Sequence, residues 1–258
     1  MMIRVLGCHG SQLPGFNTTS FLINGKMLLD AGAITSVLTA EEQVNIDYVL
    51  VTHAHFDHVR DIMFLADNIF YLKKESPLIV LSTPCVIDTL KRCIFNGVVW
   101  PDFSAIPDAD NPVLKFAAIR PGETISLAGL SITPIEVNHT VETVGYLVQA
   151  REGAVIFVGD TGPTEEIWRI ARHTDGLQAV FVETSLPDAM KDMACITGHL
   201  TPMSLKQELK KLGRPSTTIY LYHMKPQSRE TIIKEMKLTE NRNIYALEDG
   251  DILHIGAP

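Results

Sequence analysis

The apolar residues of this chain fall into short, β-branched runs separated by turn residues, and only a few stretches carry the wider spacing of a helix. Residues 3–7, 20–24 and 26–30 predict three short strands, the last two joined at Asn24-Gly25, a strong hairpin signal. Residues 48–52 are apolar without alternation, as in a strand buried on both faces. The motif that follows predicts a helix over 59–66. A strand over 78–82 and a helix over 84–95, opened by Thr83-Pro84 and stopped at Asn96-Gly97, come next. From Lys115 the pattern turns β-rich. Runs at 116–119, 124–127, 131–137, 144–150 and 154–158, divided by Pro121-Gly122 and Glu152-Gly153, imply a second sheet. A helix over 165–172, a strand over 179–183 and an open, mobile connection over 187–198 that can serve as a lid follow. The chain then predicts a helix over 202–212 with Thr201 as N-cap, a strand over 218–222, a helix to about Lys237, and a closing hairpin over 243–255 around Asp249-Gly250.

Polar side chains of one chemical kind gather where the apolar runs end. Residues 48–52 deliver His53-Ala54-His55-Phe56-Asp57-His58, three imidazoles and a carboxylate at the C-terminal end of a buried strand. In α/β folds that is where ligands gather. His53 and His55 lie two apart in extended chain, so their rings can face one side, while Asp57 and His58 begin the next helix. Such a cluster arises by chance on the order of 10⁻³ times per chain of this composition. Imidazole and carboxylate suit Zn²⁺, Mn²⁺ or Fe, and four donors exceed the needs of one open catalytic ion, which suggests two. Other strand ends offer His139, Asp160 and His223, and His199 stands at a helix entrance. Asp30, at the end of a strand and before Ala31-Gly32, reads equally as an anchor for a metal-bound histidine or as a turn residue. His9 alone carries too little to be a ligand. The aromatic stretch 96–112, with Trp100 and Phe103, reads as an ordered surface loop that is either a small satellite core or a substrate or dimer contact.

Composition narrows the choices. The formal charge of −8 offers no bulk attraction to polyphosphate, so a small substrate is expected rather than a long nucleic acid. No apolar run approaches the ~20 residues that span a bilayer. The four cysteines, Cys8, Cys85, Cys93 and Cys195, lack CxxC spacing; each reads as a reduced, buried small hydrophobe in a cytoplasmic protein.

The motif His53-x-His55-x-Asp57-His58 after a buried strand resembles the signature of the metallo-β-lactamase superfamily, and His139, Asp160 and His223 follow in that family's order along nearly the whole chain. The resemblance implies an α/β fold, a four-layer αββα sandwich, with residues 1–258 as a single domain. It also implies two divalent ions, Zn²⁺ foremost with Mn²⁺ or Fe as alternatives. His53, His55 and His139 would hold one, Asp57, His58 and His223 the other, with Asp160 bridging. Within the superfamily, Asn96-Gly97-Val98-Val99-Trp100-Pro101-Asp102-Phe103, Glu183-Thr184-Ser185, Gly198-His199-Leu200-Thr201-Pro202 with Leu205 and Glu208-Leu209, and His223-Met224-Lys225-Pro226 resemble class II 3′,5′-cyclic-nucleotide phosphodiesterases. Two positions depart from that pattern: Phe56 stands where Leu is usual, and Asp61 where a small residue is usual.

The activity so implied is hydrolysis of cyclic AMP or cyclic GMP to the 5′-nucleotide by water activated between two ions. Asp57 would serve that water, and His199 would protonate the poor 3′-alkoxide leaving group with Glu183 orienting it. Alternatives on the same fold are a tRNA 3′-processing endonuclease, which would need a basic arm, and a lactonase, which would need an acyl channel. From another class comes a non-hydrolytic di-metal redox module, which would need a partner domain. A homodimer is compatible with the aromatic loop.

Overall fold

In the computed structural model, which describes residues 1–236 and 243–256, the chain opens with β1 (Met2–Gly7), β2 (Ser20–Ile23) and β3 (Met27–Leu29). Positive φ at Asn24 (51°) and Gly25 (68°) closes the turn that lays β2 antiparallel to β3, as the Asn-Gly pair predicts. Three parallel crossovers follow. They run through α1 (Ala40–Val44) to β4 (Tyr48–Leu50), α2 (Phe56–Tyr71) to β5 (Leu78–Ser82), and α3 (Pro84–Cys93) to β6 (Leu114–Ala118). Thr83 caps α3, its hydroxyl accepting from the Val86 N–H with Pro84 in the first turn.

The second sheet begins as a meander of β7 (Ile125–Leu127), β8 (Leu130–Glu136), β9 (Val144–Ala150) and β10 (Gly153–Phe157). It continues in parallel through α4 (Glu166–His173) to β11 (Leu177–Glu183), then α5 (Lys191–Thr197) and α6 (Pro202–Leu212) to β12 (Thr218–Tyr222), and α7 (Arg229–Met236) to β13 (Ile244–Ala246). The last strand, β14 (Ile252–His254), returns to pair with β1. Two seven-stranded sheets result, ordered β14-β1-β2-β3-β4-β5-β6 and β13-β12-β11-β10-β9-β8-β7.

Three apolar layers hold them. One lies between the first sheet and α2 and α3 (Val49, Ile62, Leu65, Val80, Leu90), one between the two sheets, and one between the second sheet and α4, α6 and α7 (Trp168, Val180, Leu205, Ile219, Ile232). The middle layer is aromatic: Phe157 stacks on Phe181 at 4.3 Å, and Phe21 meets Tyr222 edge-on at 5.4 Å. The Tyr146 hydroxyl crosses this layer to the Val51 carbonyl (2.8 Å). This is the αββα sandwich that the sequence resemblance implies.

Several expectations are corrected. The first run of the β-rich half, β6, belongs to the first sheet: it pairs in parallel with β5, and Phe116 packs on Phe95 behind α3. Residues 243–255 form no hairpin, because β13 extends the second sheet and β14 the first, so the Asp249-Gly250 turn passes between sheets. The connection 187–198 is a single 3-10 turn followed by α5, and Gly198 in left-handed conformation (φ 67°) ends the helix. α2 starts at Phe56 and runs to Tyr71, well past residue 66. Residue 237, the expected end of α7, lies outside the described residues. Of the cysteines only Cys8 is buried, whereas Cys85, Cys93 and Cys195 are exposed, since each of those three sits on the outward side of a helix. In the stretch 96–112, Phe103 is buried and Trp100 packs on Phe64 at 5.3 Å, so its aromatic rings extend the first core layer.

Candidate metal centre

Parallel strands bring the polar strand ends to one edge of the sandwich. In the first sheet β3 and β4 run side by side and end at Asp30 and at Thr52-His53; in the second, β10, β11 and β12 end at Asp160, Glu183 and His223. His55, Asp57 and His58 follow on the turn into α2, and His139 on the connection between β8 and β9. Two glycines let these segments approach. A Cβ on Gly10 would stand 2.5 Å from the His223 carbonyl oxygen, and one on Gly32 2.1 Å from that of Asp57. His223 itself adopts φ 62°, a conformation that L-residues reach at a cost of about 1 kcal/mol or more. Its N–H, bonded to the Cys8 carbonyl at 2.6 Å, helps to hold it there.

All seven expected ligands converge. The donor atoms of His53, His55 and His139 lie within 4.8 Å of one another, as do those of Asp57, His58 and His223. Asp160 joins the groups: its Oδ2 is 3.3 Å from both His58 Nε2 and His223 Nε2, and 3.8 Å from His53 Nε2. His139 Nε2 faces His55 Nδ1 at 3.3 Å, and His58 Nε2 faces His223 Nε2 at 3.1 Å.

The outward nitrogens of four of the five rings are occupied, which decides the tautomers. His58 Nδ1–H donates to Asp30 Oδ2 (2.8 Å) and His139 Nδ1–H to the Gly198 carbonyl (2.8 Å). His53 Nδ1–H donates to the Thr52 hydroxyl (2.9 Å), which itself donates to Asp30, and His223 Nδ1–H donates to the Ser185 hydroxyl (2.9 Å), which donates to Glu183 Oε2 (2.9 Å). Each of these rings then turns a lone pair inward. Asp30 is therefore an anchor, and with φ 56° it also turns the chain at the end of β3. It is fully buried, and besides His58 it accepts from the N–H and hydroxyl of Thr52.

The inward lone pairs of His58 and His223, facing one another across 3.1 Å, repel unless something positive lies between them. His53 Nε2 and Asp160 Oδ1 are buried with no hydrogen-bond partner, at a cost of about 1–3 kcal/mol each if nothing binds them. The donor set, neutral imidazoles with two carboxylates, fits divalent ions. Electrostatics agree. Burial, aided by the neighbouring His58, holds His53 well below the usual histidine range, and burial with the adjacent His139 lowers His55. For His58 burial acts in the same sense, but Asp160 and Asp30 outweigh it and drive the ring well above that range. Burial likewise opposes ionisation of Asp160, and His223 and His58 overcome it. Carboxylates that favour a proton here favour a cation equally.

His199 lies outside the two expected triads, yet its donor atom is within 4.8 Å of those of His139 and Asp160. Its ring centroid is 5.1 Å from that of His139, and its Nδ1–H donates to Glu183 Oε1 (2.9 Å). Glu183 is fully buried and also accepts from the N–H groups of Leu200, Thr161 and Ser185. Burial lowers His199, but Glu183 outweighs it, and the net shift is upward. The two departures at 56 and 61 separate. Asp61 Oδ2 accepts from the N–H groups of Ile34 and Thr35 (2.6 and 2.9 Å) and from the Thr35 hydroxyl, so it orders the segment after β3. Phe56, between His55 and Asp57 in the motif, is exposed.

A fold and centre of this kind define the metallo-β-lactamase class. The family model described as "Beta-lactamase superfamily domain" matches residues 28–224, and the chain belongs to that superfamily. Among curated proteins it is 25% identical to a probable 3′,5′-cyclic-nucleotide phosphodiesterase of Yersinia pestis, over 94% of this chain and 78% of that protein. It is also 25% identical to 3′,5′-cyclic-nucleotide phosphodiesterase 1 of Saccharomyces cerevisiae, over 75% of this chain and 62% of that one. A ribonuclease Z of Clostridioides difficile is 26% identical over 56% of the chain and 48% of its own length. Unliganded yeast PDE1 superposes with a TM-score of 0.82 at 20% identity, covering 96% of this chain and 98% of that one, which speaks to the fold. The enzyme class expected from the sequence, a metal-dependent phosphodiesterase, agrees with these relatives.

Sequence reasoning missed some of the site. Thr52, the relay to His53, follows the strand without any motif of its own, and the Gly198 carbonyl carries no side-chain signal. The neighbours Cys8 and His9 also meet Asp249, which is distant from them in sequence, behind the His223 segment.

Proposed function

We propose that this protein hydrolyses small phosphodiesters, with 3′,5′-cyclic nucleotides as the preferred class. The observation that carries the reading is the pair of three-donor groups, His53/His55/His139 and Asp57/His58/His223, with the Asp160 carboxylate between them. The names of relatives matching most of the chain support it. Two divalent ions, Zn²⁺ by preference for this donor set, would supply charge stabilisation at the phosphate oxygens and lower the pKa of the attacking water.

The remaining work falls to the chain. Asp57, partly exposed and held ionised by His223 and His58 against its burial, can orient the attacking water as a hydrogen-bond acceptor. His199, kept protonated by Glu183, can donate to the leaving alkoxide. Glu183 and Ser185 fix both His199 and His223, so proton donor and ligand share one support. Phe56, exposed within the motif, offers a face on which a base can stack. The charge of −8 disfavours a long nucleic acid, which argues against a ribonuclease Z-like role. No described helix is long and apolar enough to cross a membrane.

The test is hydrolysis of cyclic AMP, cyclic GMP and bis-p-nitrophenyl phosphate by metal-replete protein and by Asp160→Ala. Turnover of a cyclic nucleotide that the variant abolishes is expected. Cleavage of the generic diester alone would refute the substrate assignment and leave the site standing.

A further inference from the structure

A second donor cluster lies outside the centre described above and shares no residue with it. Cys8 follows β1, His9 is next to it, and Asp249 comes from the turn that carries the chain from β13 to β14. Cys8 and His9 are each only 2% exposed. Cys8 Sγ is 3.7 Å from His9 Nε2 and 3.3 Å from Asp249 Oδ1, and His9 Nε2 is 3.5 Å from the same Oδ1. Tetrahedral Zn²⁺ with one sulfur, one nitrogen and one oxygen ligand has ligand-to-ligand edges of about 3.3–3.6 Å, from its bond lengths. All three observed edges fall within about 0.3 Å of their counterparts.

The Cys8 thiol is in reach of the Leu247 carbonyl (3.4 Å) and of Asp249, whereas the His9 ring has no close polar partner. His9 Nε2, the ring nitrogen that faces the cluster, meets only the sulfur (3.7 Å) and the carboxylate (3.5 Å) among the described residues, and Phe16 packs edge-on against the ring at 4.8 Å and fixes it. A buried imidazole without a close polar partner calls for a reason. Asp249 is already aimed: its Oδ1 accepts from the Cys8 N–H (3.0 Å) and its Oδ2 from the Asn17 N–H (2.8 Å), so the carboxylate needs no reorganisation to bind. The Asp249 side chain is 18% exposed, so the cluster meets solvent on that side. The positive charge of Arg229, which is paired with Glu248, reaches Cys8 and His9, and the carboxylates of Asp249 and Glu248 oppose it there.

We propose that Cys8, His9 and Asp249 form a separate mononuclear site for a thiophilic divalent cation, Zn²⁺ in preference to Mn²⁺ or Mg²⁺. One thiolate and one carboxylate balance the charge of the ion, and imidazole with thiolate selects against the harder metals. Without metal, burial and the adjoining Asp249 push the Cys8 thiol up, so binding expels its proton to solvent as the sulfur–metal bond forms. The ion would clamp the end of β1 to the turn between the sheets. The same segment meets the His223 loop, where the His223 N–H bonds to the Cys8 carbonyl and the Gly10 N–H to that of Met224.

The centre of the first triads contains no sulfur, so a thiolate-specific signal reports this site alone. Metal-stripped, reduced protein is titrated with Co²⁺ and followed in the near ultraviolet, where sulfur-to-cobalt charge transfer absorbs. The band is expected in the wild-type chain and in the triple variant Cys85→Ser/Cys93→Ser/Cys195→Ser. It should be lost in Cys8→Ser and weakened at least tenfold in apparent affinity in His9→Ala. Zinc content should fall from three per chain to two in Cys8→Ser. Absence of the band from folded wild-type protein, its persistence in Cys8→Ser, or its loss in the triple variant would overturn the proposal. The wild-type and triple-variant arms decide the matter even if Cys8→Ser does not fold. Phosphodiesterase turnover plays no part in the readout.

Discussion

Replacing Asp30 with Asn removes one charge from the buried anchor at almost constant volume, and its effect falls on the His58 tautomer. The carboxylate accepts from the Thr52 N–H, the Thr52 hydroxyl and His58 Nδ1–H, four contacts at 2.8–3.1 Å divided between its two oxygens. An amide has one accepting atom. If its oxygen stays with Thr52, its NH₂ points at His58, and the ring must either lose that bond or move its proton to Nε2. The second choice removes the lone pair that faces Asp160 and His223. Loss of such an orienting group lowers metal affinity about 10- to 100-fold, which is about 1.4–2.7 kcal/mol. Chelator competition on Asp30→Asn should show that loss for the ion held with His58, and a smaller one for the ion held with His53, whose Nδ1 reaches Asp30 only through Thr52. Excess metal should restore most of the turnover, because no ligand has been removed. Two affinities within twofold of the parent would refute the assignment of Asp30 as the group that sets the His58 tautomer.

Other expectations follow from the same contacts. His199→Ala should reduce turnover about 10²- to 10⁴-fold while metal content by elemental analysis stays near two ions at the main centre, and loss of those ions would sink its role as proton donor. Because Glu183 raises the pKa of His199, the donor stays protonated to higher pH than an ordinary histidine, and activity should fall as pH rises through that raised value. Glu183→Gln should therefore move the alkaline limb of the kcat profile toward lower pH; an unmoved limb would show that His199 does not carry it. Phe181→Ala, in the stacked pair between the sheets, should cost about 3–5 kcal/mol in urea unfolding, with a value under about 1 kcal/mol refuting the placement of the core there.

What could be read from the chain alone depended on how local each signal was. His53, His55, Asp57 and His58 were legible because one strand end and one helix start supply all four, so spacing alone brings them together. His139, Asp160 and His223 became legible only through their order, since nothing local separates a ligand from a structural strand-end residue. Asp30 could be read either way, because its role as anchor is set by Thr52 and His58, which pack on it from β4 and α2. Asp249-Gly250 misled for a definite reason. The turn has hairpin chemistry, but each flanking strand finds a better partner at a different sheet edge, β12 for one and β1 for the other. The cysteines on α3 and α5 were misread because a general preference for burial says nothing about which side of a helix a residue occupies.

The supports of the centre come from both sheets, and this links packing to chemistry. Asp30 and Thr52, from the first sheet, hold His58 and His53. Glu183 and Ser185, from the second, hold His223 and His199, while His139 leans on the carbonyl at the end of α5. Asp160 comes from the second sheet yet faces His53 and His58 of the first. Its position is correct only when the two sheets are in register across the aromatic layer of Phe21, Phe157, Phe181 and Tyr222. Tyr222 directly precedes His223, and Phe157 stands three residues before Asp160, so these core rings are also the last inward positions before the ligands. A small shift between the sheets would therefore change the Asp160 distances before it changed any contact within either triad, and metal pairing should be the first property that a loosened core loses.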